Sequence, residues 1–202
     1  DPVHMCEELG DVLTQVVFHG DMEQDAGRFT LEDVYDGICK KLILRHPHVF
    51  GSTVVGSTGE VLNNWDAIKR VEKDQKTFTD TLEAVPKNLP ANWRAEKLMK
   101  KASKAGFAWD NGFQAIDKLA AETVELGQAM VDGTNVAEEL GDTLFAAVGV
   151  CYTLGLDPET VLHEACEKFI RRFAAMEQRA GSTSLDTLSK EQLLTLWNDC
   201  KP

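Results

Sequence analysis

The chain has 202 residues, 43% of them hydrophobic and 27% charged, and 33 acidic against 21 basic residues give a net charge of −12. That balance belongs to one large or two small folded globular domains rather than to a disordered or membrane protein, and the acidic excess disfavours nucleic-acid binding, because a phosphate backbone would be repelled over most of the surface. The five cysteines are scattered without a C-x-x-C pair, so neither a disulfide framework nor a zinc site is suggested and a reducing cytoplasm fits best.

No apolar run reaches the ~18 residues of a membrane span, and "DPVHMCEELGD" lacks the apolar centre of a signal peptide. From Val3 to His19 the positions Leu9, Val12, Leu13, Val16 and Val17 recur at helical spacing, which predicts an amphipathic helix carrying Glu8 and Asp11 near its apolar face. Thr30, with Asp33 three residues on, predicts a capped helix from about Leu31 to Arg45. "HPHVFGSTVVGSTGE" reads as a loop, and His46 and His48 within it as structural loop residues, since no acidic neighbour lies in the loop. "EVLNNWDAIKRVEKD" reads as a helix and "TFTDTLEAVPKNLPA", with Pro86 and Pro90, as an irregular connector. That connector is the expected boundary between units 1–85 and 86–202.

A helix through "NWRAEKLMKKASKAG" should end at Gly106, and "FAWDNG" should turn into "FQAIDKLAAETVELGQAMVDG". "NVAEELGDTLFAAVGVCYTLG" is the next helix. Asp157 and Pro158 mark the start of "PETVLHEACEKFIRRFAAMEQRA", and a short helix follows Ser189. Nothing reads as a convincing strand, so the fold class is all-α.

The pentapeptide EELGD occurs twice, ending at Asp11 and at Asp142. Each copy is followed by a helix with a Lys/Arg pair four residues apart, Lys41 and Arg45 in the first and Lys168 and Arg172 in the second. Such a pair shares one helix face. Acidic residues three apart are ordinarily solvated surface, but two identical pentapeptides followed by the same basic spacing indicate a tandem duplication of a helical unit. Upstream of the second copy, Glu122 and Glu125 are three apart. Two antiparallel helices joined by the Asp132-Gly133 turn bring them toward Glu139 and Asp142. Four converging carboxylates repel one another unless protonated or bound to cations, and oxygen-only ligation suits Mg²⁺ or Mn²⁺. With Lys168 and Arg172 nearby, the combination suits a polyphosphate. A di-iron bundle is disfavoured, because neither acidic pair has the histidine of Glu-x-x-His.

E-x-x-E, a short spacer and E-x-x-D followed by "KFIRRF" resemble the MazG family of nucleoside triphosphate pyrophosphohydrolases. So do "GRFTLEDV", "RHPHVFG", "VPKNLPA" and "RAEKLMKKASKAGFAWD", over nearly the whole chain. The resemblance implies tandem four-helix-bundle-type units completed by homodimerisation. It implies Mg²⁺ held by Glu122, Glu125, Glu139 and Asp142, triphosphate contacts from Lys168 and Arg172, and Trp197 near the base or sugar. The implied reaction is hydrolysis of NTPs or dNTPs between the α and β phosphates to NMP and pyrophosphate. Taken without the family, Trp197 reads as a packing residue. Family members often carry a basic residue four positions before the E-x-x-D glutamate, where this chain has Asn135. The first copy shows no E-x-x-E before Glu8 and Asp11, so either a further helix is expected ahead of residue 1, the favoured reading, or the first site is incomplete by design. Catalysis is therefore expected in the second copy, with the first a degenerate or dimerising unit. A catalytically weak nucleotide-binding or regulatory protein is the alternative, and a purely structural helical scaffold is a third.

Overall fold

In the computed structural model, which describes residues 1–201, every element among those residues is helical. In chain order they are α1 (Pro2–Asp25), α2 (Leu31–Arg45), α3 (Pro47–Phe50), α4 (Thr58–Glu72), α5 (Phe78–Glu83), α6 (Ala91–Ser103), α7 (Gly112–Asp132), α8 (Val136–Thr153), α9 (Pro158–Ala180) and α10 (Lys190–Asp199), with one 3₁₀ turn at Leu185–Thr187. Capping side chains fix most of the starts. Thr30 accepts from the Asp33 N–H while Asp33 accepts from the Thr30 N–H, closing a capping box on α2. Asp157 accepts from the Thr160 N–H at 2.7 Å, and Ser189 caps α10 with Gln192 reaching back. Two short helices arise where the sequence predicts irregular chain. Pro47 at a first helical position supports α3, and a Thr77–Asp80 capping box nucleates α5. Helix α6 stops before Gly106, which takes the left-handed turn beyond it at φ 85°.

The helices fall into two compact units, Asp1–Lys76 and a second from Thr77 onward. In the first, α2 packs on both α1 and α4. Its last turn is tied to α4 by Arg45, which donates to both oxygens of Glu72 at 2.8 and 2.9 Å and lies 5.4 Å from the centre of the Trp65 ring. The hydrogen bond from Arg45 is the main cause holding the Glu72 carboxyl below its ordinary range. A depressed carboxylate adds stability above its unfolded pKa, and that contribution disappears as pH falls through the folded value. Glu72→Gln is therefore expected to lower the denaturant midpoint at about pH 7 and to converge on the wild type as pH falls through the depressed folded pKa of Glu72. Equal midpoints at neutral pH would show the pair to be inert.

In the second unit, α6 packs on α5, α8 and α9. Ala95, Met99 and Val148 form a small core with Trp109 and Tyr152 packed against it. Gly149 is part of that arrangement, since a Cβ there would lie 2.8 Å from the Trp109 ring. Helices α7 and α8 form an antiparallel hairpin whose turn uses two left-handed residues, Gly133 at φ 67° and Asn135 at φ 55°. Both units leave large apolar side chains outside, among them Leu9, Val12 and Leu13 on α1, Val124 and Val131 on α7 and Leu144 on α8. No single helix among the described residues is long and apolar enough to cross a membrane.

Candidate active site

Residues three or four apart lie on one helix face. On α7 that rule lines up Lys118, Glu122 and Glu125, and on α8 it lines up Glu139, Asp142 and Phe145. The hairpin brings the acidic stretches together, so that carboxylate oxygens of Glu122, Glu125 and Glu139 all lie within 4.8 Å of one another. Thr143 fastens the two helices at this level. Its hydroxyl donates to the Glu139 carbonyl at 2.9 Å and reaches the Glu122 carbonyl across the hairpin at 3.4 Å.

Glu122 is only 6% exposed, Glu139 is half-buried and Glu125 faces solvent. Desolvation, and then the charges of Glu125, Asp142 and Glu122, push the Glu139 carboxyl above its ordinary range. Asp142 lies outside the tight group of three but close enough to act on Glu139 and on Lys118. Crowded carboxylates of this kind need a cation, and an all-oxygen donor set fits a hard divalent ion. The chain itself supplies one positive charge. The Lys118 ammonium pairs with the Glu122 carboxylate, and that hydrogen bond is the main cause raising its pKa. Lys118 was not singled out from the sequence, because Lys four residues before Glu is ordinary on a solvated helix face. Burial of its partner is what distinguishes it.

Lys168 and Arg172 lie one turn apart on α9, with Lys168 exposed. Arg172 does not extend into solvent. Its Nε donates to the Trp197 carbonyl at 2.9 Å, its Nη2 donates to the same oxygen, and its guanidinium lies 3.8 Å from the centre of the Trp197 ring. Phe169 lies against the same ring at 5.1 Å. The duplication read from sequence thus extends to an arginine on a tryptophan in each unit, Arg45 with Trp65 and Arg172 with Trp197. The difference is that Glu72 neutralises the first arginine, whereas the second is held by a neutral carbonyl. Asn135 serves the hairpin turn, and its carbonyl accepts from the N–H groups of Glu138 and Glu139 at 3.0 and 3.1 Å. His46 is engaged with the Leu42 carbonyl at 2.8 Å, in keeping with a structural role.

The MazG nucleotide pyrophosphohydrolase domain model matches residues 1–50 and 113–175, which take in both EELGD copies and all four carboxylates. The chain belongs to the MazG family. Among its relatives, the nucleoside triphosphate pyrophosphohydrolase of Escherichia coli K12 is 38% identical over 200 residues, covering 96% of this chain and 76% of that protein. The nucleoside triphosphate pyrophosphohydrolase/pyrophosphatase MazG of Thermotoga maritima is 39% identical over 199 residues, 98% of this chain and 76% of that one. The uncharacterized protein YabN of Bacillus subtilis is 40% identical over 206 residues, spanning the whole chain and 42% of its own length. The MazG relationship carries with it an all-α fold and a nucleotide pyrophosphohydrolase class.

Proposed function

We propose that the second unit hydrolyses nucleoside triphosphates, ribo or deoxy, between the α and β phosphates, releasing NMP and pyrophosphate, with Mg²⁺ or Mn²⁺ as cofactor. The convergence of Glu122, Glu125 and Glu139 on the α7–α8 hairpin, with Asp142 beside them, carries this reading, and the names of the E. coli and T. maritima relatives support it. Glu122, Glu125, Glu139 and Asp142 would hold the cation, which when bound neutralises phosphate charge and polarises the scissile linkage. Lys118, one turn from Glu122, stands where it can turn from the carboxylate to a phosphate oxygen. Lys168 and Arg172 bind the β and γ phosphates and offset the charge that develops on departing pyrophosphate. Trp197 enters as the group that positions Arg172, through its carbonyl and its ring face. A carboxylate oxygen of the cluster accepts the proton of the attacking water.

The exposed apolar faces of α1, α7 and α8 support a symmetric homodimer as the working form. Asn135, in place of a basic residue, favours a second reading, a nucleotide-binding protein of low turnover. Product analysis separates the two. Incubation with each common NTP and dNTP is expected to yield NMP and pyrophosphate with Mg²⁺ and nothing with EDTA. Formation of NDP and phosphate would refute the bond assignment, and tight binding without turnover would favour the second reading.

A further inference from the structure

The duplication leaves one constellation in the first unit that the proposed chemistry does not use. Arg45 on α2 answers to Arg172 and Lys41 to Lys168, and each arginine lies on a tryptophan ring. In the second unit the arginine is held by a neutral carbonyl, so its charge is not cancelled. In the first, Glu72 takes Nε at 2.8 Å and Nη2 at 2.9 Å, the fork geometry with which arginine receives two oxygens of a phosphate. The Arg45 side chain is only 12% exposed and that of Glu72 28%, so the carboxylate fills the place an anion would take.

The surroundings offer more positive charge than one carboxylate cancels. Lys41, one turn before Arg45, and Lys73, next to Glu72, both lie close enough to act on the same carboxyl, and Lys69 lies 5.0 Å from the centre of the Trp65 ring. A structural ion pair needs one cation, whereas Lys41, Arg45 and Lys73 together, in a chain of net charge −12, suit a polyphosphate. Glu72 is also the last residue of α4, followed by Lys73 as C-cap and by Asp74 in the left-handed conformation at φ 50°. Helix ends open at the least cost, so the carboxylate stands where it can swing away while the rest of α4 stays in place. Lys41 and Arg45 lie inside the segments matched by the family domain, and Trp65, Lys69, Glu72 and Lys73 lie outside them. The basic pair thus belongs to the matched domain, and the carboxylate that closes it belongs to the segment beyond.

We propose that Lys41, Arg45 and Lys73 form a separate polyphosphate-binding site in the first unit, which the Glu72 carboxylate holds shut as a built-in substitute for phosphate. The analogy with Arg172 rests on the function above, but the site itself requires no turnover. With Glu72 in place, the first unit leaves triphosphates to the second. When a polyphosphate displaces it, the tie between α2 and α4 is exchanged for a ligand.

Calorimetric titration with inorganic tripolyphosphate counts the sites, in EDTA so that no divalent cation bridges phosphate to the α7–α8 carboxylates. Glu72→Gln is expected to bind at one site per chain more than the wild type. Its affinity there should exceed that of the wild-type first unit by at least about tenfold, because one competing charge-assisted pair is gone. The double variant Arg45→Gln, Glu72→Gln should return to the wild-type count. Glu32→Gln, at an exposed position on α2, changes the net charge equally and should add no site. Glu72→Asp, which keeps the charge but shortens its reach by one methylene, covers the case in which Glu72→Gln folds poorly, and its gain should be intermediate. Titration with ATP separates the sources of the ligand. Equal affinity for ATP and tripolyphosphate assigns the site to the phosphate chain alone, and tighter binding of ATP assigns it to a nucleotide, and both uphold the site. An unchanged count in Glu72→Gln and Glu72→Asp, with the helices intact by circular dichroism, would reduce the pair to a structural tie and overturn the proposal. So would an extra site that survives in the double variant. Failure of the wild type to hydrolyse any NTP would instead sink the functional reading, and the count of sites would still decide this one.

Discussion

Glu139→Gln is expected to reduce NTP hydrolysis by at least about two orders of magnitude and to weaken divalent-cation binding, while the helices remain folded. The substitution keeps the shape of the side chain and removes one charge from a group of carboxylates whose oxygens lie within 4.8 Å of one another. The ionisation of Glu139 is opposed by its surroundings, first by burial and then by Glu125, Asp142 and Glu122. Without a cation the amide relieves repulsion, so thermal stability in EDTA should stay level or rise. With a cation it removes a ligand, so the stabilisation gained on adding Mg²⁺ should shrink. Glu122→Gln should behave differently, because it also removes the ion pair with Lys118 and leaves an amide at a buried position, so the gain in EDTA should be smaller than for Glu139→Gln. Calorimetric titration with Mn²⁺ and melting curves with and without EDTA give both signs. Wild-type turnover by Glu139→Gln in Mg²⁺ would remove the hairpin from the chemistry.

The largest expected loss of stability falls at Gly149. A Cβ there would lie 2.8 and 2.9 Å from two atoms of the Trp109 ring and 3.1 Å from the Met99 terminal methyl. Trp109 and Met99 belong to the same small core, so neither can withdraw without opening a gap between α6 and α8. Gly149→Val should therefore cost about 2–3 kcal/mol, the overpacking penalty exceeding the small gain from replacing a helical glycine. Gly127, also in a helix but with nothing within 4 Å of its Cβ position, supplies the contrast. Gly127→Ala is expected to be neutral or to stabilise by up to about 1 kcal/mol. Urea midpoints of the two variants, read by circular dichroism, should move in opposite directions or at least far apart. Similar midpoints would mean that Trp109 moves aside at little cost.

The helices and the acidic residues of the site were legible because they depend on local rules. Capping residues at Thr30, Asp157 and Ser189 announce helix starts, and a three-residue spacing on paired helices announces a carboxylate cluster. What escaped the sequence depends on contacts between distant segments. Lys118 looks like any helical surface lysine until Glu122 is found buried beside it. Arg172 reads as a free cation until the Trp197 carbonyl and ring are found holding it. The Glu72 partner of Arg45 sits 27 residues away on another helix, and no periodicity points to it. Helices α3 and α5 were missed for the opposite reason, since each is short enough that neighbouring proline and glycine outweighed a single cap.

The apolar residues left outside on α1, α7 and α8 bear on how the protein's durability is to be understood. If a second copy covers them, part of the free energy that keeps each chain folded depends on how many chains there are. Dilution would then act as a denaturant, and the melting temperature would climb with the logarithm of protein concentration. A cell making little of this protein would hold a less durable molecule than one making much, with no change in a single residue.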